Sequence, residues 1–174
     1  MATSRFKGSS LPDITFLIVV PTLNSHRLLP RLVSSLHAQT WNNWRVLFVD
    51  GPSSIEHRQW LESCSSADTR FLWIKQDPSE IGIFGAMNQG FNAATDTDYL
   101  LFWGSDDWAA TTTVLSELAQ SLLVSLDSQL ELDLCVCRGR YVDCVKCLSA
   151  APEGACSNDH VRACLRRGSC SLAC

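Results

Sequence analysis

No apolar run in this 174-residue chain approaches the roughly 20 residues that a membrane helix needs. The longest, residues 16–20 and 99–103, are the length of strands, so no bilayer-spanning helix is expected. The first twelve residues carry Arg5 and Lys7 without an apolar stretch; residues 1–12 are expected to form a flexible lead-in, not a secretory signal. A basic stripe is also missing. The first 134 residues hold fifteen acids against eight Lys and Arg, which argues against a nucleic-acid partner whose phosphates need neutralising. Cysteine is nearly absent from the same stretch, where Cys64 stands alone. There is no Gly-x-Gly-x-x-Gly after the first apolar run and no Gly-Lys-Ser/Thr loop, so the dinucleotide-binding and P-loop readings lose their support. A phosphate bound here would need a metal in place of a glycine cradle.

What is present is the composition of an ordinary soluble globular domain, 46% apolar and 18% charged. Its character changes near residue 135. All six Trp and all seven Phe precede residue 109, whereas eight of the nine Cys (135, 137, 144, 147, 156, 164, 170 and 174) fall in the last 40 residues, where Tyr141 is the one aromatic residue. Residues 13–134 therefore read as the folded body. Residues 135–174 read as a Cys-rich tail that cannot easily build a core without cross-links or metal.

Residues 14–20 form a continuous β-branched and aromatic run, the pattern of a strand buried on both faces of a parallel sheet, and Pro21 stops it. Between residues 26 and 38, Leu28, Leu29, Leu32, Val33 and Leu36 recur at helical spacing and predict one packed face. Residues 45–49 predict a second strand ending in the turn Asp50-Gly51-Pro52, residues 55–64 a modest helix and residues 71–74 a third strand. Residues 83–94 predict a helix with Ile83, Phe84, Met87 and Phe91 on one side; a strand over 99–103, an amphipathic helix over 111–126 and a further strand over 130–137 follow. The alternation predicts an α/β fold, a Rossmann-like and mostly parallel sheet with flanking helices, followed by an irregular Cys-rich tail. Ligands of such sheets sit beyond the carboxyl ends of the strands, where residues 21–24, Asp50 and the pair Asp106-Asp107 all fall.

The carboxylate pair is the sharpest chemical signal. Adjacent anions at a strand exit repel each other unless a cation holds them, and Mg²⁺ takes one or two carboxylates plus substrate phosphate oxygens. The alternative is a helix N-cap, since the free N–H groups of a helix start also attract an anion. Asp50 has two readings as well: an acceptor for a base N–H or a ribose hydroxyl, or a turn residue bonded to its own backbone. Thr22 and Asn24 read as loop and N-cap residues of the first helix.

Taken in order, Ile18-Val19-Val20-Pro21-Thr22-Leu23-Asn24, Ser35-Leu36-His37-Ala38-Gln39-Thr40, Val49-Asp50-Gly51, Gly82-Ile83-Phe84-Gly85-Ala86-Met87-Asn88-Gln89-Gly90 and Gly104-Ser105-Asp106-Asp107 resemble the family 2 glycosyltransferases over residues 13–110. The resemblance implies a GT-A nucleotide-sugar-binding fold, an NDP-sugar donor such as a UDP-sugar, Mg²⁺ or Mn²⁺, and inverting transfer. It implies that Pro21, Thr22 and Asn24 line the nucleoside pocket, that Asp50 bonds the base, and that Asn88 contacts the diphosphate or sugar. Asp106 would be the metal ligand of the family's Asp-x-Asp motif, with Asp107 supporting it or contacting the sugar. Three departures stand out. Gly104 replaces the first Asp of the motif, Gly85 stands where related sequences often carry Asp, and the acceptor-binding part with its catalytic base has no match, so no catalytic residue is named.

The tail has three readings. Cys135-x-Cys137, Cys144-x₂-Cys147, Cys156, His160 and Cys164 could close a structural zinc site. Disulfides are the second, disfavoured by a body of cytoplasmic character. The third is a stretch altered by a shifted reading frame, loosely packed beyond about residue 148. The functional expectation is a transferase that works on saccharide or glycoconjugate acceptors in polysaccharide assembly, in the cytoplasm or at the inner face of the cell membrane as a peripheral protein. The alternatives are a truncated donor-binding remnant without activity and a zinc-stabilised interaction protein.

Overall fold

The computed structural model describes residues 14–96 and 98–128, and the backbone of residues 134–140 and 159–166. The expected lead-in, residues 1–12, lies outside the described residues, as do the tail thiols on which the zinc, disulfide and loose-packing readings depend. Strand β1 (Thr15–Thr22) is central. It pairs in parallel with β2 (Trp44–Asp50) on one side and β4 (Asp98–Phe102) on the other, and β3 (Phe71–Lys75) adds in parallel to β2. Two strands of the Cys-rich region complete a six-stranded sheet of order β3-β2-β1-β4-β6-β5: β6 (Asp159–Arg166) runs antiparallel to β4, and β5 (Leu134–Arg140) antiparallel to β6. The strand expected over 130–137 is found as β5, displaced toward Arg140; β6 was not expected, although Val161, Ala163 and Leu165 alternate with Arg162, Cys164 and Arg166 in its sequence.

Alternation along β1 explains why its sequence is apolar throughout. Phe16, Ile18 and Val20 face a core formed with Leu29, Leu32 and Leu36 of α1 (Leu29–His37), Leu61 of α2 (Ile55–Ala67), and Leu115, Leu118 and Leu122 of α4 (Val114–Asp127). Leu17 and Val19 face the opposite way, with Leu47, Val49 and Leu100, toward Ala86 of α3 (Gly82–Asn92). A strand clad on both faces has no polar edge to alternate. Helix α1 begins three residues later than the periodicity predicts, because Pro30 belongs in a first turn where its missing N–H costs nothing. Leu28, expected on the packed face, is instead the N-cap and 48% exposed.

Helix α3 departs most from expectation. Its buried residues are Gly85, Ala86 and Gly90, while Ile83 and Phe84 point outward, 58% and 71% exposed. The reason is proximity: a Cβ on Gly90 would sit 2.2 Å from Val19 Cγ1, so the small-residue face is the one that lets the helix lie on β1. Gly90→Ala is therefore expected to destabilise the protein by about 1–3 kcal/mol through overpacking, outweighing the gain of up to about 1 kcal/mol in helix propensity. Urea denaturation of the two proteins checks the sign.

Candidate functional site

Parallel pairing brings the exits of β1, β2 and β4 to one end of the sheet. Thr22 stands opposite Asp50 across β1 and β2, and the exits are laced together by Gly51 N–H to Thr22 O (2.9 Å) and Gln76 N–H to Asp50 O (2.7 Å). Asp50 does not form a turn with its own backbone. Its buried carboxylate accepts hydrogen bonds at Oδ1 from Ser53 Oγ (2.5 Å) and Thr22 Oγ1 (3.3 Å), and Arg58 Nε lies 3.5 Å from Oδ2. His57, fully buried on α2, places Nε2 3.2 Å from Asp50 Oδ1, yet neither ring nitrogen makes an aligned hydrogen bond. Asn24 adopts the left-handed conformation (φ 52°) and joins the knot from above. Its N–H donates to Ser53 Oγ (3.0 Å), and its Oδ1 accepts from Ser54 N–H (2.7 Å). It therefore does not cap α1, contrary to the first reading; it ties the β1 exit to the start of α2, whose own N-cap is Ser54.

The carboxylate pair leaves β4 in a tight turn. Trp103 N–H donates to Val19 O (3.0 Å), Asp107 N–H to Gly104 O (3.0 Å), and Gly104 N–H to Asp107 Oδ2 (2.5 Å). The helix-cap alternative is excluded, because α4 starts at Val114 with Thr113 as its N-cap. Both carboxylates lean over one glycine. A Cβ on Gly104 would lie 2.7 Å from Asp106 Oδ1 and 2.9 Å from Asp107 Oδ2. Asp106 is exposed and Asp107 half-buried. No group of three or more His, Cys, Asp or Glu side chains forms a closed metal cage among the described residues.

Helix α3 enters beside these exits, with Asn88 exposed on it. Its start is shaped by Gln76, whose Nε2 donates to Glu80 O and Gly82 O, both at 2.6 Å. Gly85 is required by that loop: a Cβ there would fall 2.0 Å from Glu80 O.

Comparison with known proteins decides the family. The model of Glycosyl transferase family 2 matches residues 17–124. The chain belongs to this family. A PGL/p-HBAD biosynthesis glycosyltransferase of Mycobacterium tuberculosis is 34% identical over 104 residues, which is 60% of this chain and 40% of that protein. The chain thus spans well under half the length of such curated relatives. Among solved structures, S. aureus TarS in complex with UDP-GlcNAc superposes with a TM-score of 0.55 at 22% identity, over 69% of this chain and 33% of that one. The mannosyltransferase PcManGT from Pyrobaculum calidifontis, in complex with GDP-Man and Mn²⁺, gives a TM-score of 0.56 at 15% identity, over 72% and 35%. The shared fold is GT-A.

Within this family 2 domain, Thr22, Asn24 and Asp50 meet in one hydrogen-bonded cluster, with Pro21 beside them on β1, whereas Asp106 and Asp107 occupy the neighbouring β4 exit and Asn88 the flanking helix. Sequence reading missed Ser53, His57 and Arg58. A serine three residues after a strand-ending aspartate, followed by a histidine in the first turn of the next helix, was the available signal. No helix of the described residues is long and apolar enough to cross a membrane.

Burial withdraws His57 from water and holds its pKa below the ordinary histidine value; the Asp50 carboxylate pulls the other way, while His26 and Arg58 add to the lowering. Neutral His57 therefore favours the native state, and the unfolded chain binds the proton more readily below about pH 6.5. Stability is expected to be full above that pH and to fall as pH drops through it toward the folded pKa. Urea midpoints measured between pH 7 and 5 should decline less steeply in His57→Gln than in the unaltered protein.

Proposed function

We propose that this family 2 domain binds a nucleoside-diphosphate sugar across the exits of β1, β2 and β4, together with Mg²⁺ or Mn²⁺, for inverting transfer to a saccharide or glycoconjugate acceptor in polysaccharide or glycoconjugate assembly. The observation that carries the reading is the meeting of three chemically distinct exits at one end of the sheet: hydroxyl and amide groups at Thr22 and Asn24, a buried carboxylate at Asp50 and an acidic pair at Asp106 and Asp107. Pro21, Thr22 and Asn24 then line the nucleoside. Asp50 keeps Oδ1 on Thr22 and Ser53; its Oδ2, closed off from solvent with Arg58 Nε 3.5 Å away, would meet the base once Arg58 swings aside. Asn88 reaches the diphosphate or sugar. The ligands held in the TarS and PcManGT complexes, UDP-GlcNAc and GDP-Man, fall in this class.

The residues fit a metal of this kind. One exposed carboxylate with a second leaning over the same glycine suits a hard cation that keeps several waters and completes its shell with phosphate oxygens, where a closed protein cage would not. Asp106 would hold it, with Asp107 fixed behind by Gly104 N–H. Such a metal, when bound, neutralises charge that develops on the leaving nucleotide. The setting proposed is cytoplasmic, with peripheral association at the inner membrane face as an alternative.

A second reading, donor binding without transfer, is favoured by a specific observation. Inverting displacement needs a general base within reach of the acceptor hydroxyl. Among the residues beyond Asp107 whose side chains are described, the acids are Glu117 and Asp127, both on α4, and Glu117 is engaged by Thr113 Oγ1 at 2.6 Å. Calorimetric titration of UDP- and GDP-sugars with Mn²⁺ is expected to show saturable binding that weakens by about tenfold or more in Asp106→Ala, the size of one lost charge-assisted ligand. Absence of binding by every donor would sink the donor-site reading, and a parallel hydrolysis and transfer assay separates the active enzyme from the binding-only protein.

A further inference from the structure

The sequence motif Ser35 to Thr40 has no place in the donor site, yet it grips the loop that bears the acidic pair. Ser35 Oγ accepts a hydrogen bond from Ala109 N–H (3.0 Å) and donates to Leu32 O (2.8 Å). Gln39, 4% exposed, donates from Nε2 to Thr111 O (2.7 Å) and accepts at Oε1 from Leu115 N–H (3.0 Å), one of the free N–H groups at the start of α4. Thr40 N–H adds a bond to Thr112 O (2.8 Å). One turn before Ser35, the exposed Arg31 lays its guanidinium 3.3 Å from the centroid of the Trp108 ring, the residue directly after Asp107. Arg31, Ser35 and Gln39 stand at successive intervals of four, so they form one stripe along α1 and just past its end.

We infer that this stripe is a positioning device: Arg31, Ser35 and Gln39 hold the Asp106-Asp107 turn at the distance from the β1 exit that a metal-bound diphosphate requires. The inference rests on the reading of Asp106 as metal ligand. Within the turn, hydrogen bonds join Gly104 to Asp107, and Trp103 N–H reaches Val19 O on the strand side; past Asp107, Ala109 N–H, Thr111 O, Thr112 O and Leu115 N–H all bond to the α1 segment. A ring clamped on one face by a cation loses freedom to swing, and displacement of a positioned group by about 1 Å can cost up to about 10²-fold in function. Arg31 is the informative member because it is exposed and touches no proposed donor contact. Gln39 is too buried for its loss to be read cleanly.

The test uses the whole chain and the variants Arg31→Ala and Ser35→Ala, with Ser34→Ala as a control on an exposed position of the same helix. Two quantities are measured: hydrogen exchange of the amides of residues 104–109, and the concentration of UDP or GDP with Mn²⁺ at which paramagnetic broadening of the same amide signals is half complete. Exchange is expected to rise about tenfold in both variants with β1 and β2 amides unchanged, and half-broadening to require about tenfold more nucleotide. Ser34→Ala should match the unaltered protein in both. Unchanged exchange in the two variants overturns the inference, and so does faster exchange with unchanged broadening, which would make the stripe a mere structural tie. Faster exchange in a protein whose loop ignores both nucleotides and Mn²⁺ upholds the grip on the loop and overturns the donor-site reading instead.

Discussion

The pairing of β1 in parallel with both β2 and β4 is the constraint on which the site depends. Because all three strands point the same way, their exits crowd one end of the sheet, and three segments separated by some eighty residues of chain are brought together without any long-range loop. Burial on both faces fixes that arrangement. A slip of β1 by one residue would send Phe16, Ile18 and Val20 to the side that accommodates Leu17 and Val19, where α3 leaves room only for small groups. Register and helix spacing thus enforce each other, and the positions of Thr22, Asp50 and Asp106 follow from packing several residues away.

On this frame sits a polar cluster that is costly to bury. Asp50, His57, Ser53 and Thr22 are all shielded from water, and several of their polar atoms lack aligned protein partners. Unsatisfied buried groups of this sort destabilise by about 1–3 kcal/mol each unless a partner arrives. A structure selected only for stability would fill such a place with apolar side chains. Its retention at the strand exits fits the view that functional sites hold local disfavour that the surrounding core offsets.

The strands were legible because burial on two faces writes itself as an unbroken apolar run, in residues 14–20, 45–49 and 99–103. The exits of β2 and β4 were legible for the same reason, since those runs stop abruptly at Asp50 and Gly104; Pro21, expected to stop β1, instead lies within it, because the strand stays paired with β2 as far as Thr22. Helix α3 misled because helical periodicity was read from its large residues. Ile83 and Phe84 mark its outer side, while contact with the sheet is made by Gly85, Ala86 and Gly90, which a hydrophobicity pattern undervalues. Asp50 was harder still. Nothing local distinguishes a turn aspartate from one drawn inward by Ser53 and Thr22, since the second partner comes from another strand. Gln39 illustrates the same limit, for its bonds to Thr111 and Leu115 cross more than seventy residues.

Gly85 bears on which alternatives to this sequence are reachable. The carbonyl of Glu80 occupies the volume that any side chain at position 85 would claim, and Gln76 fastens that carbonyl in place. A carboxylate at 85 is thus barred as a lone change. The 76–82 loop would have to be re-laid in the same step, so the two segments form a single mutational unit, and swapping in the loop and helix start together is the natural graft for anyone rebuilding this side of the site.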